Sequence, residues 1–367
     1  MKKKILSGLT IAELEDFVEE LGEPRYRGRQ IFSWLYGKGV KRFGDMSDLG
    51  KGLQDRLSES AEIPLFEVLH QETSSVDGAT KFLFGLQDGL KVEGVLIPPD
   101  QSVLGAERRL TLCVSTQVGC PLDCAFCATG AMGYTRNLTA GEIVGQVLEA
   151  QRSTPRRISN IVYMGMGEPL MNYESVVRSV DILMHERSLA IGARRITIST
   201  AGWAVNIRRL ADERRKVKLA VSLHTLDDGL RAQLMPISKK YPLPTLLDAV
   251  EYYYRRTRLR PTFEYILFDG VNDMDRDIER LVALSRKLPC KVNIIPFHTI
   301  DFMHPTGIAA TLRPSSRERL QSFVEELRNR KVRVFVRSSA GEDINAACGQ
   351  LAVREESLRG TEAAAVL

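Results

Sequence analysis

The chain has 367 residues, of which 44% are hydrophobic and 26% charged, and its formal net charge is +5 at pH 7. No apolar run approaches the ~20 residues that cross a bilayer, and the basic N-terminus lacks the apolar segment and cleavage site of a secretory signal. We therefore expect a cytoplasmic globular protein with no membrane contact. Its six cysteines are expected to bind metal, catalyse or lie buried, since cytosolic thiols stay reduced.

Residues 1–62 are predicted to form a small helical domain. Thr10 and Glu13 have the spacing of a capping box, and apolar residues follow at helical spacing. Further helices are predicted near residues 27–36 and 47–58, separated by glycine and proline turn signals. The clustered arginines and lysines of this domain suit the binding of nucleic acid, and a packing domain without a ligand is the alternative.

Residues 63–105 are predicted to form a β-rich connector. Partly alternating apolar residues at 82–84 and 90–97 indicate two strands, and Gln87-Asp88-Gly89 supplies the turn between them. The sequence therefore predicts a β-hairpin that leads into the main domain.

Residues 106–345 alternate strand and helix, which predicts an α/β fold with a parallel sheet, as a partial (β/α)6 barrel. The remaining residues, 346–367, are predicted to be a loop with a frayed tail from residue 355. The predicted strands are 110–114, 158–164, 195–199, 217–223, 262–267 and 292–295, with 332–336 as a candidate closing strand. Helices are predicted to begin near residues 139, 173, 275 and 315, and another spans 244–256.

Three cysteines, Cys120, Cys124 and Cys127, have the spacing C-x3-C-x2-C. This spacing supplies three thiolates to a 4Fe–4S cluster, whereas clusters that only transfer electrons usually have four cysteine ligands. One iron would then lack a protein ligand and could bind a substrate, as catalytic zinc sites do through their open position.

Polar and reactive residues also stand near the ends of the predicted strands, where α/β barrels place their active sites. A glycine followed by glutamate lets the backbone approach a ligand closely while the carboxylate accepts hydrogen bonds from an amino group. Taken singly, these serines are more often helix caps, and a histidine or cysteine is more often a packed core residue. Cys290 is interpreted as such a structural residue. The candidate strand-end residues are Cys113, Gly167, Glu168, Ser199, Ser222, His224 and His298.

The cysteine triad, with Phe126 just before its third member, resembles the radical S-adenosylmethionine (SAM) superfamily. In that superfamily the open iron chelates SAM, and the reduced cluster cleaves SAM to a 5′-deoxyadenosyl radical. The chain as a whole resembles the bacterial dual-specificity RNA adenine carbon-2 methyltransferases, the RlmN family, from its N-terminal helices to Leu351. The residues that carry this second resemblance are Glu93, Cys113, Met164 to Pro169, Ser222-Leu223-His224 and Ala346 to Leu351.

The RlmN resemblance implies a role for each of these residues. Cys348 would carry a methyl group taken from SAM, Cys113 would release the methylated RNA through a transient disulfide, and Glu93 would accept the proton of carbon 2. The implied substrates are an adenosine in 23S rRNA and one in tRNAs, with an electron donor such as flavodoxin; we expect a monomer. The implied ligands of one 4Fe–4S cluster are Cys120, Cys124 and Cys127, and the implied SAM contacts are Gly167, Glu168, Ser199, Ser222, Leu223, His224 and His298.

Two features depart from the family pattern. His298 stands where the family commonly has asparagine, although histidine can also donate or accept a hydrogen bond. The stretch between Glu93 and Cys113, which includes residues 104–108, is longer than the family pattern leads us to expect.

Two other functions remain open from the sequence. A Cfr-like enzyme that methylates carbon 8 of the same rRNA adenosine would share the cluster and both additional cysteines, because related activities share one fold. A non-methylating iron–sulfur RNA-binding protein would have a cluster closed by four ligands and no role for Cys113 and Cys348.

Overall fold

The computed structural model describes residues 3–64, 66–99, 109–337 and 340–353. The predicted frayed tail from residue 355 and the long stretch at 104–108 lie outside these ranges. Among the described residues, no helix is both long and apolar enough to span a membrane.

The N-terminal part is mainly helical. The capping box of Thr10 and Glu13 is confirmed, since the Thr10 side chain accepts from the Glu13 backbone and the Glu13 side chain accepts from Thr10. After the helix at Tyr26–Phe32, the chain continues as a π-helix at Ser33–Gly37. The helices are α1 (Ile11–Glu20), α2 (Tyr26–Phe32) and α3 (Lys51–Ser60), and two short strands, β1 (Lys4–Ile5) and β2 (Ala61–Glu62), pair in parallel.

Two details of this part differ from the sequence prediction. The helix predicted from residue 47 begins at Lys51, because the Gly50 backbone is extended (φ −60°, ψ 147°) and forms the N-cap. The pairing of β1 with β2 was not predicted, since two-residue strands far apart in sequence carry no periodic signal.

The connector is a three-stranded antiparallel meander of β3 (Glu67–Thr73), β4 (Thr80–Gly85) and β5 (Lys91–Ile97). The predicted hairpin corresponds to β4 and β5. β3 was missed because it is an edge strand without fully buried residues, so its sequence lacks clear alternation.

The rest of the chain alternates strands and helices. The strands are β6 (Thr111–Cys113), β7 (Gln117–Gly119), β8 (Tyr134–Asn137), β9 (Asn160–Tyr163), β10 (Ile196–Thr200), β11 (Lys218–Ser222), β12 (Thr262–Leu267), β13 (Lys291–Pro296) and β14 (Val334–Val336). The helices are α4 (Ala128–Ala131), α5 (Ala140–Arg152), α6 (Tyr173–Met184), α7 (Ala204–Asp212), α8 (Asp228–Leu234), α9 (Leu243–Thr257), α10 (Asp275–Lys287) and α11 (Arg317–Asn329).

One ten-stranded sheet joins the connector to the alternating part, in the order β14-β13-β12-β11-β10-β9-β6-β5-β4-β3. Within this sheet β6 and β9 to β14 are parallel, and β5 pairs with β6 antiparallel, with Val95 opposite Cys113. β7 and β8 form a separate antiparallel pair. Within the described ranges β14 pairs only with β13, at one edge of this sheet. The partial barrel, with this strand as its closing strand, stays a prediction. The six predicted parallel strands are confirmed to within about two residues at each end.

A single cluster of buried apolar side chains extends from Leu6 to Leu351. The N-terminal helices, the meander and the parallel sheet therefore share a core. The division of the chain at residues 62, 105 and 345 stays a prediction. The parallel order of the strands brings their C-terminal ends, and the residues that follow them, to one edge of the sheet.

Candidate active site

The cysteine motif lies in a tightly wound loop between β7 and α4. Gly119 has φ +76°, and a Cβ there would lie 1.9 Å from the Gly133 carbonyl oxygen, so only glycine fits. The Cys120 amide donates to that same carbonyl at 2.8 Å, and the Cys127 amide donates to the Cys124 carbonyl at 3.0 Å. The backbone thus holds the three cysteines on a rigid turn, and none of them forms a disulfide.

The C-terminal ends of the parallel strands enclose a cavity against this loop. Leu223 and His298 do not line it: Leu223 is fully buried in the core, and His298 Nδ1 lies 3.0 Å from Glu342 Oε1. Their predicted contacts with SAM stay predictions. The predicted residues that do line the cavity are Cys120, Cys124, Cys127, Gly167, Glu168, Ser199, Ser222, His224 and Cys348.

Glu168 is buried between two strand ends. Its Oε1 accepts from the Leu170 amide at 3.0 Å and its Oε2 from the Ala201 amide at 2.7 Å. Burial raises the pKa of Glu168 to about 7, although these hydrogen bonds favour the carboxylate. The ionised form of a desolvated carboxylate held in this way is stabilised most when a cationic amino group enters the cavity.

Gly167 allows this placement of Glu168. It has φ +100°, and a Cβ at this position would lie 2.6 Å from the Gln117 side chain. Gln117 in turn accepts a hydrogen bond from the Glu168 amide at 2.8 Å. Glycine is therefore required for both conformation and close approach.

His224 is a buried, neutral histidine. Its Nδ1 accepts from the Ile266 amide at 3.0 Å, and burial, aided by the positive charge of Arg231, lowers its pKa to about 3. With Nδ1 used as an acceptor, the proton of the neutral ring resides on Nε2, which becomes a donor. His224 also has φ +57° and packs edge-on against Phe126 at 4.6 Å between ring centroids.

A buried arginine, Arg231, stands behind this cavity. Its guanidinium donates to the carbonyls of Ala201 and Ser222, each at 2.8 Å, and to Ser238 Oγ at 2.7 Å. Burial lowers the pKa of Arg231 to about 10, whereas the nearby Cys124 thiol acts in the opposite direction. A buried cation bonded to neutral groups favours negative charge beside it.

A second cavity adjoins the first and brings together the two cysteines outside the motif. Cys113, Cys348 and Cys127 all line it, together with Val95 and Arg337. Burial, followed by the proximity of Cys348, raises the pKa of the Cys113 thiol to about 12. The fold thus places side chains 235 residues apart in sequence (348 − 113) around one space.

The segment that carries Cys348, residues 340–353, is tied to the cysteine loop and the meander. The Ala128 amide donates to the Gly349 carbonyl at 2.7 Å, and Thr129 Oγ1 donates to the Leu351 carbonyl at 2.6 Å. On the other side, Lys81 Nζ donates to the Ile344 carbonyl at 2.5 Å. These contacts fix the position of Cys348 relative to the motif.

Glu93 does not line either cavity. Its side chain is buried, and Oε2 accepts from the Ala352 amide at 2.9 Å, while Lys81 Nζ lies 4.0 Å from Oε1. Since Val95 faces Cys113 and side chains alternate along a strand, Glu93 lies on the same face of β5 as Val95. Glu93 therefore contacts the Cys348 segment, and its role as proton acceptor stays a prediction.

Sequence reasoning missed Arg337, which lines both cavities. Its Nη1 lies 3.2 Å from Met164 Sδ, and the proximity of Cys348 and Glu264 raises its pKa. Arg231 was also missed. Each is a single arginine without a motif, so only the tertiary contacts reveal them.

Comparisons with known proteins agree with this arrangement. Residues 5–63 match the family model of the ribosomal RNA large subunit methyltransferase N-terminal domain, and residues 114–282 match that of the radical SAM superfamily. A protein of Bacillus cereus named "Probable dual-specificity RNA methyltransferase RlmN" is 44% identical over 358 residues, 97% of this chain and 95% of its own length. A protein of the same name from Syntrophomonas wolfei is 42% identical over 96% of this chain and 98% of its own length.

The chain belongs to the RlmN family of radical SAM methyltransferases. The crystal structure of a radical SAM methyltransferase from Sphaerobacter thermophilus superposes on this RlmN-family chain with a TM-score of 0.86 and 44% identity, over 95% of this chain and 99% of that one. The expected fold class, a radical SAM α/β domain with an N-terminal helical domain, is thereby confirmed.

The residues of this RlmN-family chain fit the 4Fe–4S cluster and SAM that the superfamily uses. The thiols of the motif face one cavity, and the buried Arg231 supplies positive charge beside Cys124. Among the described residues, no group of three histidine, cysteine, aspartate or glutamate side chains is close enough together to hold a single metal ion. A 4Fe–4S cluster does not need such a group, because each of its three thiolates binds a different iron.

Proposed function

We propose that this chain methylates carbon 2 of an adenosine in 23S rRNA and in tRNAs, as the name of its relatives and the family resemblance indicate. The observation that carries the proposal is the shared cavity of Cys113, Cys348 and Cys127. A cluster protein that only binds RNA has no use for two additional thiols beside the motif.

Cys120, Cys124 and Cys127 would hold one 4Fe–4S cluster, and Glu168, Ser199, Ser222 and His224 would bind SAM. When bound, the cluster and SAM supply a 5′-deoxyadenosyl radical. The Glu168 carboxylate would hold the amino group of SAM, and the His224 Nε2–H is available to donate a hydrogen bond to SAM. Gly167 keeps the backbone close to the cofactor, and we also assign Leu223 and His298 to its surroundings.

The two cysteines of the second cavity divide the remaining work. Cys348 Sγ holds the methyl group that is transferred to the adenine, and Glu93 takes the proton from carbon 2. Cys113 would then form a disulfide with Cys348 as the bond between Cys348 Sγ and the carbon attached to the base breaks. The electron pair of that bond stays on the carbon, which takes up a proton to become the methyl group, while the Cys113 thiol loses its proton. The target base must leave its stack to enter this cavity.

The setting of the reaction follows from the same proposal. Residues 1–62 would hold RNA, residues 63–105 connect them to the radical SAM domain at 106–345, and residues 346–367 carry the methyl-bearing cysteine. An electron donor such as flavodoxin would reduce the cluster. We propose that the protein works as a monomer in the cytoplasm.

The test is mass spectrometry of nucleosides from tRNA and from an rRNA fragment after incubation with reconstituted enzyme, SAM and a reductant. The expected product is 2-methyladenosine, lost in Cys348→Ala and retained in Cys290→Ala, whose thiol is buried away from both cavities. 8-Methyladenosine would replace the proposal by the carbon-8 activity. Cleavage of SAM without any methylated adenosine would refute RNA as the substrate.

A further inference from the structure

The end of the parallel sheet opposite the active site carries many cations. The connections that enter β9 to β14 are residues 153–159, 185–195, 213–217, 258–261, 288–290 and 330–333. They contain numerous arginines and lysines, and their only carboxylates are Glu186 and Glu213. We call this end of the sheet the basic pole; it also includes Lys218 and Lys291, which begin β11 and β13, and Arg109, which lies two residues before β6.

Most cations of the basic pole differ from those on the outer helices. The exceptions are Arg215, which pairs with Asp181 and Glu213, and Arg330, which pairs with Glu279 and Glu326. On α7 and α9, Arg208, Arg255 and Arg256 each have a carboxylate within 4.0 Å, on Asp248, Glu251 and Asp212 respectively. Across the ranges that the structure describes, the side chains of Arg194, Arg195, Lys216, Arg258, Arg260, Lys331 and Arg333 make no ion pair. The pole therefore keeps a positive field that the helices neutralise.

Like charges also lie close together at this pole. Partial burial, and then the positive charges of Lys291 and Arg109, lower the pKa of Lys218. Helix dipoles favour cations in the last turn of a helix. Helix dipoles do not explain why lysines stand at positions 218 and 291, because these residues begin strands and strand dipoles are small.

Three of these cations occupy a backbone conformation that normally belongs to glycine. Arg214, Arg258 and Lys331 have φ of +50°, +60° and +67°, at or just after the C-caps of α7, α9 and α11. Helices commonly place glycine or asparagine there, since a left-handed residue with a Cβ costs about 1–2 kcal/mol. The chain thus retains a charge at each position at the expense of its folding stability.

We propose that the basic pole is a second binding surface for the phosphate backbone of RNA, remote from the active site. Arginine predominates in the connections, and its planar guanidinium suits bidentate binding of phosphate. The surface continues into the N-terminal helical domain, because the Gly37 backbone approaches the Arg187 carbonyl. A large structured RNA can contact this surface and the active site together, which raises the local concentration of the target base. This inference rests on the proposed function in taking RNA as the partner.

The test uses the full-length reconstituted enzyme and a transcribed tRNA. The variant Arg214→Gly/Arg258→Gly/Lys331→Gly removes three charges while keeping the backbone caps, so its melting temperature should be unchanged or higher. Its control, Arg208→Gln/Arg255→Gln/Arg256→Gln, removes the same net charge from cations that already have carboxylate partners. In the glycine variant the slope of log K against log salt should fall by about 2–3, since each lost phosphate contact removes roughly 0.7–0.9.

Three outcomes would overturn the proposal. An equal fall in slope in both variants would show a general effect of net charge, and an unchanged slope in the glycine variant would show no contact. Poly-L-glutamate serves as a probe for an acidic protein. If the glycine variant loses binding of poly-L-glutamate but retains binding of tRNA, the partner of the pole is an acidic protein. The methylation assay on the parent enzyme is independent of these readouts, so failure of the pole and failure of the proposed reaction are distinguishable.

Discussion

At the scale of single residues, burial sets the chemistry of the site. Glu168, His224 and Cys113 all have a pKa displaced in the direction that disfavours charge, and the largest cause in each case is desolvation. The positive charge of Arg337 opposes this trend at Cys113, whereas that of Arg231 reinforces it at His224. The site therefore favours negative charge only where a cofactor or reacting thiol would supply it.

The assigned role of Cys113 predicts a trapped intermediate. In Cys113→Ala no thiol can release the base from Cys348, so RNA should stay covalently attached to the protein. A denaturing gel with labelled tRNA measures this species, and Cys290→Ala should show none. If Cys113→Ala retains its cluster and also forms no adduct, the assigned role is wrong.

The buried His224 predicts a loss of stability in acid. Its pKa is about 3 in the folded chain and about 6.5 when unfolded, so the unfolded state takes up the proton as pH falls below that value. From pH 7 to pH 5 this costs about 2 kcal/mol of the free energy of unfolding. His224→Asn, which keeps an acceptor for the Ile266 amide and tolerates positive φ, should lose less.

Urea unfolding of the cluster-free chain at the two pH values measures this difference. His304→Asn is the matched control, because His304 also has positive φ but is exposed. If the pH dependence of His224→Asn equals that of the parent, the neutral state of His224 does not contribute.

At the scale of elements, the position of the cysteine loop depends on the contact between its start at Gly119 and its end at Gly133, just before β8. Gly119 and Gly133 both have φ +76°, but a Cβ on Gly119 would meet the Gly133 carbonyl, whereas one on Gly133 would meet nothing within 4 Å. Alanine at Gly133 would therefore introduce only conformational strain, whereas alanine at Gly119 would add a steric clash.

Gly119→Ala should accordingly lose most of its cluster, because the clash displaces the backbone that carries Cys120. Gly133→Ala should retain far more, since it costs only the left-handed strain of about 1–2 kcal/mol. Iron content per chain after reconstitution is the measurement. Equal iron content in the two variants would show that this contact does not position the thiols.

At the scale of the whole molecule, the shared core couples the N-terminal part to the sheet. Gly141 at the start of α5 packs so closely on residue Ser7 that a Cβ would lie 2.7 Å from the Ser7 backbone. The Glu13 carboxylate also accepts from Arg178 Nη1 on α6 at 2.7 Å. Unfolding is therefore expected to be a single cooperative transition.

Gly141→Ala tests this coupling by calorimetry. Alanine favours a helix over glycine by about 1 kcal/mol, yet the clash should lower the melting temperature of the entire transition. Gly52→Ala in α3 is the control: nothing lies within 4 Å of its Cβ, so it should raise the melting temperature. A separate early transition in Gly141→Ala would contradict the shared core.

The sequence by itself determined the family, the cysteine motif and the order of strands and helices, because these depend on local spacing and periodicity. The capping box at Thr10 and the turn at Gln87-Asp88-Gly89 are such local signals, and the structure contains both. The pattern also predicted which strand ends would meet, since parallel strands share one edge.

Only the tertiary structure decided which of these residues face one space. It set Glu168 and His224 beside the motif, kept Leu223 and His298 out of the cavity, and turned Glu93 toward the Cys348 segment. It also brought Arg231 and Arg337 to the cysteines. The physical reason is that burial, charge proximity and hydrogen-bond partners depend on contacts between residues far apart in sequence, which no local pattern specifies.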